Sequence, residues 1–347
     1  MLYPELRLAS GETPHLNHQH LGEALDGRRP ASDGRELLGQ LEAQLRSTEA
    51  DVAIVSYERL CLASPRLDLP RVFKELLARA GFEMEVVVTL RQPAWVLNSQ
   101  YGWRMQHMRE GRPFALFAHA WLGSRVLDLV RLLTPWWRVA AEFHAVPLHD
   151  ACSGHPFVQR IFEQTGLLPR LASPGLAGLL ESMVETNRLR AENRSPGPVA
   201  VEVARRLHRG GAHRGLGANA RAATTFVEER AAARGLDPTA FCGLGPDVLA
   251  KVQASRGQAD DRFAQMAWGQ PWSARVANEA GRPVNEIARL PRDEDTERQI
   301  EELLQATCEW FRISCPLVPR VSGLDLPILA GAERIARDWS GRALSWM

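Results

Sequence analysis

The sequence predicts an α/β fold built on a parallel β-sheet. Two apolar segments, 51–56 and 86–90, have the composition of strands that are buried on both faces. An amphipathic segment, 69–80, lies between them, and Gly81 is placed to end its helix. The two strands are separated by about thirty residues, which is the usual length of a βαβ unit with parallel strands.

The other elements follow from the same periodicities. Pro93 fits the first turn of a helix that begins directly after the second strand, and residues 143–148 predict one more short strand. A turn is expected at 135–137. Apolar residues at helical spacing predict further helices at 33–49, 114–133, 157–165, 176–190, 199–208, 261–268, 296–311 and 326–347. We therefore expect the C-terminal half to be rich in helix.

Composition limits the classes of function. The 347 residues are 45% hydrophobic and 24% charged, with a formal net charge of +1, which gives no overall field to attract nucleic acid. The five cysteines are scattered without a C-x-x-C pair, so neither a zinc ribbon nor a disulfide framework is predicted. No apolar run reaches the roughly 20 residues of a membrane span. We expect a cytoplasmic protein without a nucleic-acid partner or a membrane span.

Polar residues lie at or after the ends of the predicted strands. Arg91 ends the strand at 86–90, Ser99 lies about two turns into the next helix, and Glu58 follows the segment 51–56. In open α/β sheets, ligands bind at this carboxyl edge, where a guanidinium suits phosphate or sulfate and a hydroxyl adds a donor. The alternative is that Arg91 pairs with a nearby carboxylate and Ser99 only occupies the helix.

Three histidines, His15, His18 and His20, lie close together near the N-terminus. Imidazoles are common zinc ligands, but no nearby Cys or Asp completes a coordination shell, so we predict no metal. A histidine that titrates near neutral pH is a candidate general base. The alternative is that all three are ordinary loop or core residues.

A basic segment occupies residues 205–221. No acidic residue occurs between Glu202 and Glu228, so this segment either holds an anion or forms a solvated loop, and we favour the solvated loop. The pattern Gly215-x-Gly217-x-x-Ala220 follows no predicted strand, and it is therefore not interpreted as a dinucleotide-binding motif.

The segments 54–58 and 86–101 resemble the middle of bacterial PAPS-dependent sulfotransferases of the carbohydrate/heparan type. The shared pattern is a strand that ends in Arg91, with Ser99 eight residues later and Tyr101 just after it. The resemblance covers residues 1–272 and implies a P-loop-like three-layer fold with a central parallel sheet. We divide the chain into a sulfotransferase-like domain, 1–290, and a C-terminal helical extension, 291–347.

The resemblance also implies a reaction and roles for residues. The chain would transfer a sulfuryl group from PAPS (3′-phosphoadenosine 5′-phosphosulfate) to a carbohydrate hydroxyl, with no metal. Arg91 and Ser99 would bind the 3′-phosphate of PAPS. The acceptor hydroxyl needs a general base, for which His20 or His18 is the first candidate and Glu58 a weaker one.

The sequence departs from the family in one respect. Family members have a Lys/Thr/Gly-rich loop that holds the 5′-phosphosulfate, and no such loop occurs here. Because Met1-Leu2-Tyr3-Pro4 resembles a segment just downstream of that loop, we expect the true start to lie upstream, with about 25–30 residues of the protein absent. We therefore predict that this 347-residue chain binds 3′,5′-ADP weakly and transfers sulfate poorly or not at all.

Two other functions stay open at the level of sequence. One is a catalytically inactive remnant that binds a nucleotide or another anion, and the other is a different nucleotide-dependent transferase, such as a glycosyltransferase. The helices at 296–311 and 326–347 are either an appendage on the core or part of a homo-oligomer contact.

Overall fold

The computed structural model describes residues 1–8, 18–57, 60–62, 68–153, 155, 157–167, 195–277, 282–291 and 293–313. It is a mixed α/β structure, 62% helical, with a small parallel sheet of two strands. The predicted site residue Glu58, His15 and the predicted helices 176–190 and 326–347 lie outside the described residues. No helix among the described residues is long and apolar enough to cross a membrane.

The first half of the chain contains both strands and the helices around them. In chain order these are α1 (Gln19–Leu25), α2 (Ala31–Ser47), α3 (Leu69–Arg79), β1 (Glu85–Leu90), α4 (Pro93–Gln106), α5 (Phe114–Trp121), α6 (Leu129–Val139), β2 (Glu142–Pro147) and α7 (Phe157–Gln164).

The second half of the described chain is helical, as predicted. Its helices are α8 (Pro198–Arg209), α9 (Ala212–Leu216), α10 (Ala220–Ala233), α11 (Pro246–Trp268), α12 (Trp272–Arg275) and α13 (Glu294–Phe311).

The sheet pairs β1 with β2 in parallel. Glu85 lies opposite Glu142, Leu90 lies opposite Pro147, and Leu148 N donates to Leu90 O at 2.6 Å to extend the ladder. The connection between the strands runs through α4, α5 and α6, so it forms a βαβ unit with several helices. The predicted strands at 86–90 and 143–148 are confirmed.

The segment 51–56 differs from its prediction. Instead of a regular strand, it makes a single parallel bridge between Ala53 and Leu2. Leu2 N donates to Val52 O at 2.7 Å, and Ile54 N donates to Leu2 O at 2.9 Å. The N-terminal residues therefore occupy the hydrogen-bonding edge of this segment, and the described partner of β1 is β2.

Strand β1 is not buried on both faces, as its composition predicted. Val86, Val88 and Leu90 pack into the apolar core, whereas the alternate residues face outward and Val87 is 40% exposed. The pleat separates these two sets because successive side chains point to opposite faces of a sheet. The described helices cover the face of β1 that carries Val86.

Helices α1, α2 and α3 form a core against that face. Leu37, Leu41 and Leu45 of α2 are buried, as the periodicity predicted. The predicted helix at 114–133 is instead divided into α5 and α6, and Asp128 caps α6 by accepting from Arg131 N at 3.1 Å. The turn predicted at 135–137 is wrong, because these residues lie inside α6.

Helix α13 packs against α8 and α10 in one apolar cluster, where Ile300 and Leu303 are fully buried. In the described chain, the helix predicted at 296–311 is thus part of the helical core. The division after residue 290 stays a prediction.

Candidate functional site

The carboxyl end of β1 leads directly into α4. Leu90 is the last strand residue, Arg91 follows it, and Gln92 adopts φ −49° and ψ 127° before Pro93 begins the helix. A residue before proline is pushed out of the helical region, and proline at the first helical position loses no hydrogen bond. The sequence Arg91-Gln92-Pro93 therefore places a guanidinium beside the N-terminus of a 14-residue helix.

Two guanidinium groups converge on one aromatic ring at this helix N-terminus. The guanidinium carbon of Arg91 lies 5.7 Å from the ring centre of Trp95, and that of Arg282 lies 5.3 Å from it. Trp95 is buried, so its ring holds both cations in a fixed place. We call Arg91, Trp95, Ser99 and Arg282 the Arg91 site.

Arg282 was not among the sequence-predicted site residues. It lies in an irregular segment far along the chain, and no local pattern distinguishes it from the many other arginines. Its contact with Trp95 exists only in the folded chain, so the sequence contained no signal that could have found it.

Ser99 lies one turn beyond Trp95 on α4 and is exposed. Residues four apart on a helix share a face, so the Ser99 hydroxyl lies on the side of α4 that carries Trp95. It stands about 9 Å along the helix axis from Pro93. Of the two predicted phosphate ligands, Arg91 thus contacts the Trp95 ring just before α4 begins, and Ser99 follows Trp95 by about one helical turn.

The neighbouring Asn98 fixes α4 in place. Its buried amide donates from Nδ2 to Phe241 O at 3.1 Å, and its Oδ1 accepts from Gly243 N at 2.9 Å. Tyr101 is also structural, because its hydroxyl donates to Arg112 O at 2.8 Å and its ring is fully buried. Asn98 therefore belongs to the core, whereas the adjacent Ser99 belongs to the Arg91 site.

His18 is buried, and both of its ring nitrogens contact the backbone. Nδ1 accepts from Ser56 N at 3.0 Å, and Nε2 lies 3.0 Å from Pro4 O, to which it donates in this tautomer. Burial lowers the pKa of His18 below its ordinary value. The neutral ring therefore joins three chain segments, and its proton-accepting nitrogen is already used.

His20 is buried on α1, next to Gly22. A Cβ at Gly22 would lie 1.9 Å from Cδ1 of Tyr57, so only glycine lets α1 pack this closely on the end of the segment 51–57. The structure thus brings His18 and Gly22 against the segment that precedes Glu58, and His20 lies between them in the sequence. Among the described contacts, none links His18 to Arg91, directly or through a shared neighbour.

The carboxyl end of β2 carries charged residues that sequence reasoning missed. Arg160 of α7 is buried and donates from Nη2 to Pro147 O at 2.7 Å and to Leu148 O at 2.8 Å. Asp150 is fully buried, and its Oδ2 lies 3.0 Å from Nη2 of Arg275. These charged groups lie together at the strand end, although Asp150 Oδ2, Arg160 Nε and Arg275 Nε make no hydrogen bond in the described structure. An arginine on the otherwise apolar face of helix 157–165 was the available signal.

The predicted basic loop at 205–221 is wrong for its first residues. Arg205 and Arg206 are buried in α8. Glu202 accepts from Arg205 Nε at 2.8 Å and from Arg206 Nε at 2.7 Å, and Glu297 of α13 accepts from Arg206 Nη2 at 2.7 Å. Glu202, one turn earlier on α8, is thus the partner of both arginines, and Glu297 adds a second carboxylate from a distant part of the sequence. These two arginines hold helices together and are not available to an external anion.

Comparisons of the chain with protein-family models, curated proteins and solved structures gave no match.

Proposed function

We propose that the Arg91 site binds the 3′-phosphate of PAPS and that the protein is a sulfotransferase-like transferase. The observation that carries this proposal is the convergence of Arg91 and Arg282 on Trp95 at the N-terminus of α4. A helix N-terminus favours an anion, and guanidinium groups bind phosphate through paired hydrogen bonds. Ser99 supplies a further donor on the same side of the helix.

The position of the site in the sheet also favours a nucleotide. Arg91 follows β1 at the carboxyl edge of a parallel pair, which is where open α/β sheets bind such ligands. The parallel β1–β2 pair and its helical crossover are compatible with a P-loop-like three-layer fold, which we include in the proposal.

The acceptor in this proposal is a hydroxyl group, most simply that of a carbohydrate. Sulfuryl transfer resembles phosphoryl transfer, so the protein mainly positions the reactants and accepts the hydroxyl proton. His18 already uses both ring nitrogens within the fold. We therefore assign the general base to His20, with Glu58 as the alternative.

One observation favours a second candidate, an anion-binding protein without catalysis. His18, one of the two histidines predicted as the base, is committed to the backbone of Ser56 and Pro4. In that case the Arg91 site would still bind 3′,5′-ADP, but PAPS would not be consumed in the presence of sugar acceptors.

Thermal-shift measurements with three nucleotides test the proposed binding. We expect 3′,5′-ADP to stabilise the protein while UDP and ATP do not, and we expect the stabilisation to be lost in Arg91→Ala. Arg71→Ala is the matched control, because Arg71 is an exposed arginine that pairs with Asp68 on α3. Stabilisation by UDP or ATP alone would favour a different nucleotide-dependent transferase.

Turnover separates the two candidates. Consumption of PAPS with a panel of sugar acceptors, lost in His20→Asn with 3′,5′-ADP binding retained, supports a transferase with His20 as its base. If His20→Asn retained turnover, Glu58 would be assigned as the general base instead. Nucleotide binding without any turnover would leave the anion-binding protein.

A further inference from the structure

Three potential metal ligands meet at the amino end of the sheet, away from the Arg91 site. Glu85 begins β1, Glu142 lies opposite it at the start of β2, and His144 lies two residues further along β2. Alternate residues of a strand share a face, and register partners in adjacent strands share it too. The pairing of β1 with β2 therefore places one imidazole and two carboxylates together.

The distances between these groups fit a common centre. His144 Nε2 lies 3.3 Å from Glu142 Oε2 and 3.7 Å from Glu85 Oε2, and one ligand atom from each residue lies within 4.8 Å of the others. Ligands about 2.1 Å from a tetrahedral zinc ion are separated from one another by about 3.4 Å. Small side-chain rotations would bring all three atoms to an ion between them.

The two negative charges at this site favour a bound cation. Like charges directly opposite each other on neighbouring strands destabilise a sheet. Among the described residues, His144 is the only basic side chain within 4.0 Å of Glu85 or Glu142. The pair of carboxylates therefore lacks an arginine or lysine partner in the described part of the chain.

The burial of His144 adds to these distances. Its side chain is 13% exposed, and Nε2 is buried without a hydrogen-bond partner in the described structure, although it faces both carboxylates. Nε2 is therefore a buried nitrogen that lies 3.3 Å and 3.7 Å from the two carboxylates and makes no hydrogen bond to either of them.

We propose that Glu85, Glu142 and His144 bind a divalent transition-metal ion, with Zn²⁺ as the preferred ion. Imidazole favours Zn²⁺ over Mg²⁺ or Ca²⁺, and three protein ligands leave a fourth position for water. Glu142 is 65% exposed, so this fourth position faces solvent. The ion joins the amino ends of β1 and β2, and by binding the folded chain it stabilises the sheet.

Isothermal titration of the metal-stripped full-length protein with ZnCl₂ tests the site. We expect one ion bound at these residues, and we expect His144→Gln and Glu142→Gln each to weaken binding by at least about tenfold. The control is His155→Gln, because His155 pairs with Glu163 at 2.9 Å in a two-residue cluster elsewhere, and its loss should leave the affinity unchanged. Glu142→Gln changes an exposed side chain and keeps the variant folded.

Co²⁺ absorption separates this site from the cysteines. Binding at Glu85, Glu142 and His144 gives d–d bands without the charge-transfer band of a cobalt–thiolate bond, and those bands are lost in His144→Gln. Absence of Zn²⁺ binding, a thiolate band alone, or equal affinity in His144→Gln, Glu142→Gln and the unmodified protein would overturn the proposal.

Discussion

Arg206 of α8 donates to Glu297 of α13 across 2.7 Å, and both side chains are nearly inaccessible to solvent. Glu202 completes the cluster by accepting from Arg206 and from Arg205 one turn away. Two arginines and two glutamates thus balance their charges inside the helical core. The first two arginines of the basic segment are therefore neutralised by the nearby Glu202 and the distant Glu297, and the network joins residues 91 positions apart.

Removing one member of this network should lower the free energy of unfolding substantially. Glu202→Ala leaves both guanidinium groups buried without their shared carboxylate, so we expect a loss of about 3–5 kcal/mol in the free energy of unfolding. The control is Glu302→Ala, which removes an exposed partner of Arg234 on α13 and should cost under about 1 kcal/mol. Urea unfolding followed by circular dichroism measures both. Similar losses in the two variants would contradict the buried network.

His18 should make stability depend on pH. Burial lowers its pKa below the ordinary value of 6.5, so between the two pKa values the unfolded chain binds more protons than the folded one. The stabilisation is present above pH 6.5 and is lost as the pH falls through the lowered pKa. We expect His18→Gln to cost about 1–3 kcal/mol at pH 8 and less at pH 5.

The matched variant for this pH series is His155→Gln, which removes an exposed histidine. Unfolding free energies measured from pH 5 to 8 should differ from those of the unmodified protein only in His18→Gln. A His18→Gln deficit that stays constant over this range would refute the proposed titration.

Asp260 should have the opposite dependence on pH. Burial raises its pKa from 3.8 to about 7, and its Oδ1 is buried without a hydrogen-bond partner in the described structure. The folded state therefore binds more protons than the unfolded state between these values, so stability falls as the pH rises from 4 to 7. We expect Asp260→Asn to gain about 1–3 kcal/mol at pH 8, with the gain vanishing near pH 4.

Chemical unfolding at pH 4, 6 and 8 measures this gain, with Asp51→Asn as the exposed control. If Asp260→Asn were no more stable than the unmodified protein at pH 8, the buried carboxylate would have to carry a compensating interaction.

Substitutions at Asn98 and at Ser99 should have different effects, the first on stability and the second on nucleotide binding. Asn98→Ala leaves Phe241 O and Gly243 N without their buried partners, so we expect a loss of about 2–4 kcal/mol in the free energy of unfolding. Ser99→Ala changes an exposed hydroxyl and should alter stability by less than about 0.5 kcal/mol. Only Ser99→Ala should weaken 3′,5′-ADP binding in a fully folded protein. A Ser99→Ala variant with unchanged affinity would remove Ser99 from the proposed site.

Local patterns predicted much of the fold. Strand β1, helices α2 and α3 and the path from Arg91 into α4 were predicted because hydrophobic periodicity and Pro93 act over a few residues. The single bridge at Ala53 was missed because apolar composition does not reveal which segment supplies the hydrogen-bonding partner.

The site was only partly predictable for the same reason. Arg91 and Ser99 are close in sequence, so local patterns were enough to place Arg91 at the end of a strand and Ser99 on the helix that follows it. Arg282 and the pairing of Arg206 with Glu297 depend on contacts between distant segments. Similarly, the grouping of Glu85 with His144 depends on the register of β1 and β2, which the sequence did not specify.

Calorimetric titration of the full chain with 3′,5′-ADP tests the central claim most directly. We predict weak but measurable binding of one nucleotide, which Arg91→Ala weakens by at least about tenfold because a guanidinium–phosphate hydrogen bond contributes about 1.5–3 kcal/mol. Arg282→Ala should also weaken it, whereas Arg71→Ala should bind as the unmodified protein does. Absence of binding, or an affinity unchanged by Arg91→Ala, would contradict the assignment of the Arg91 site.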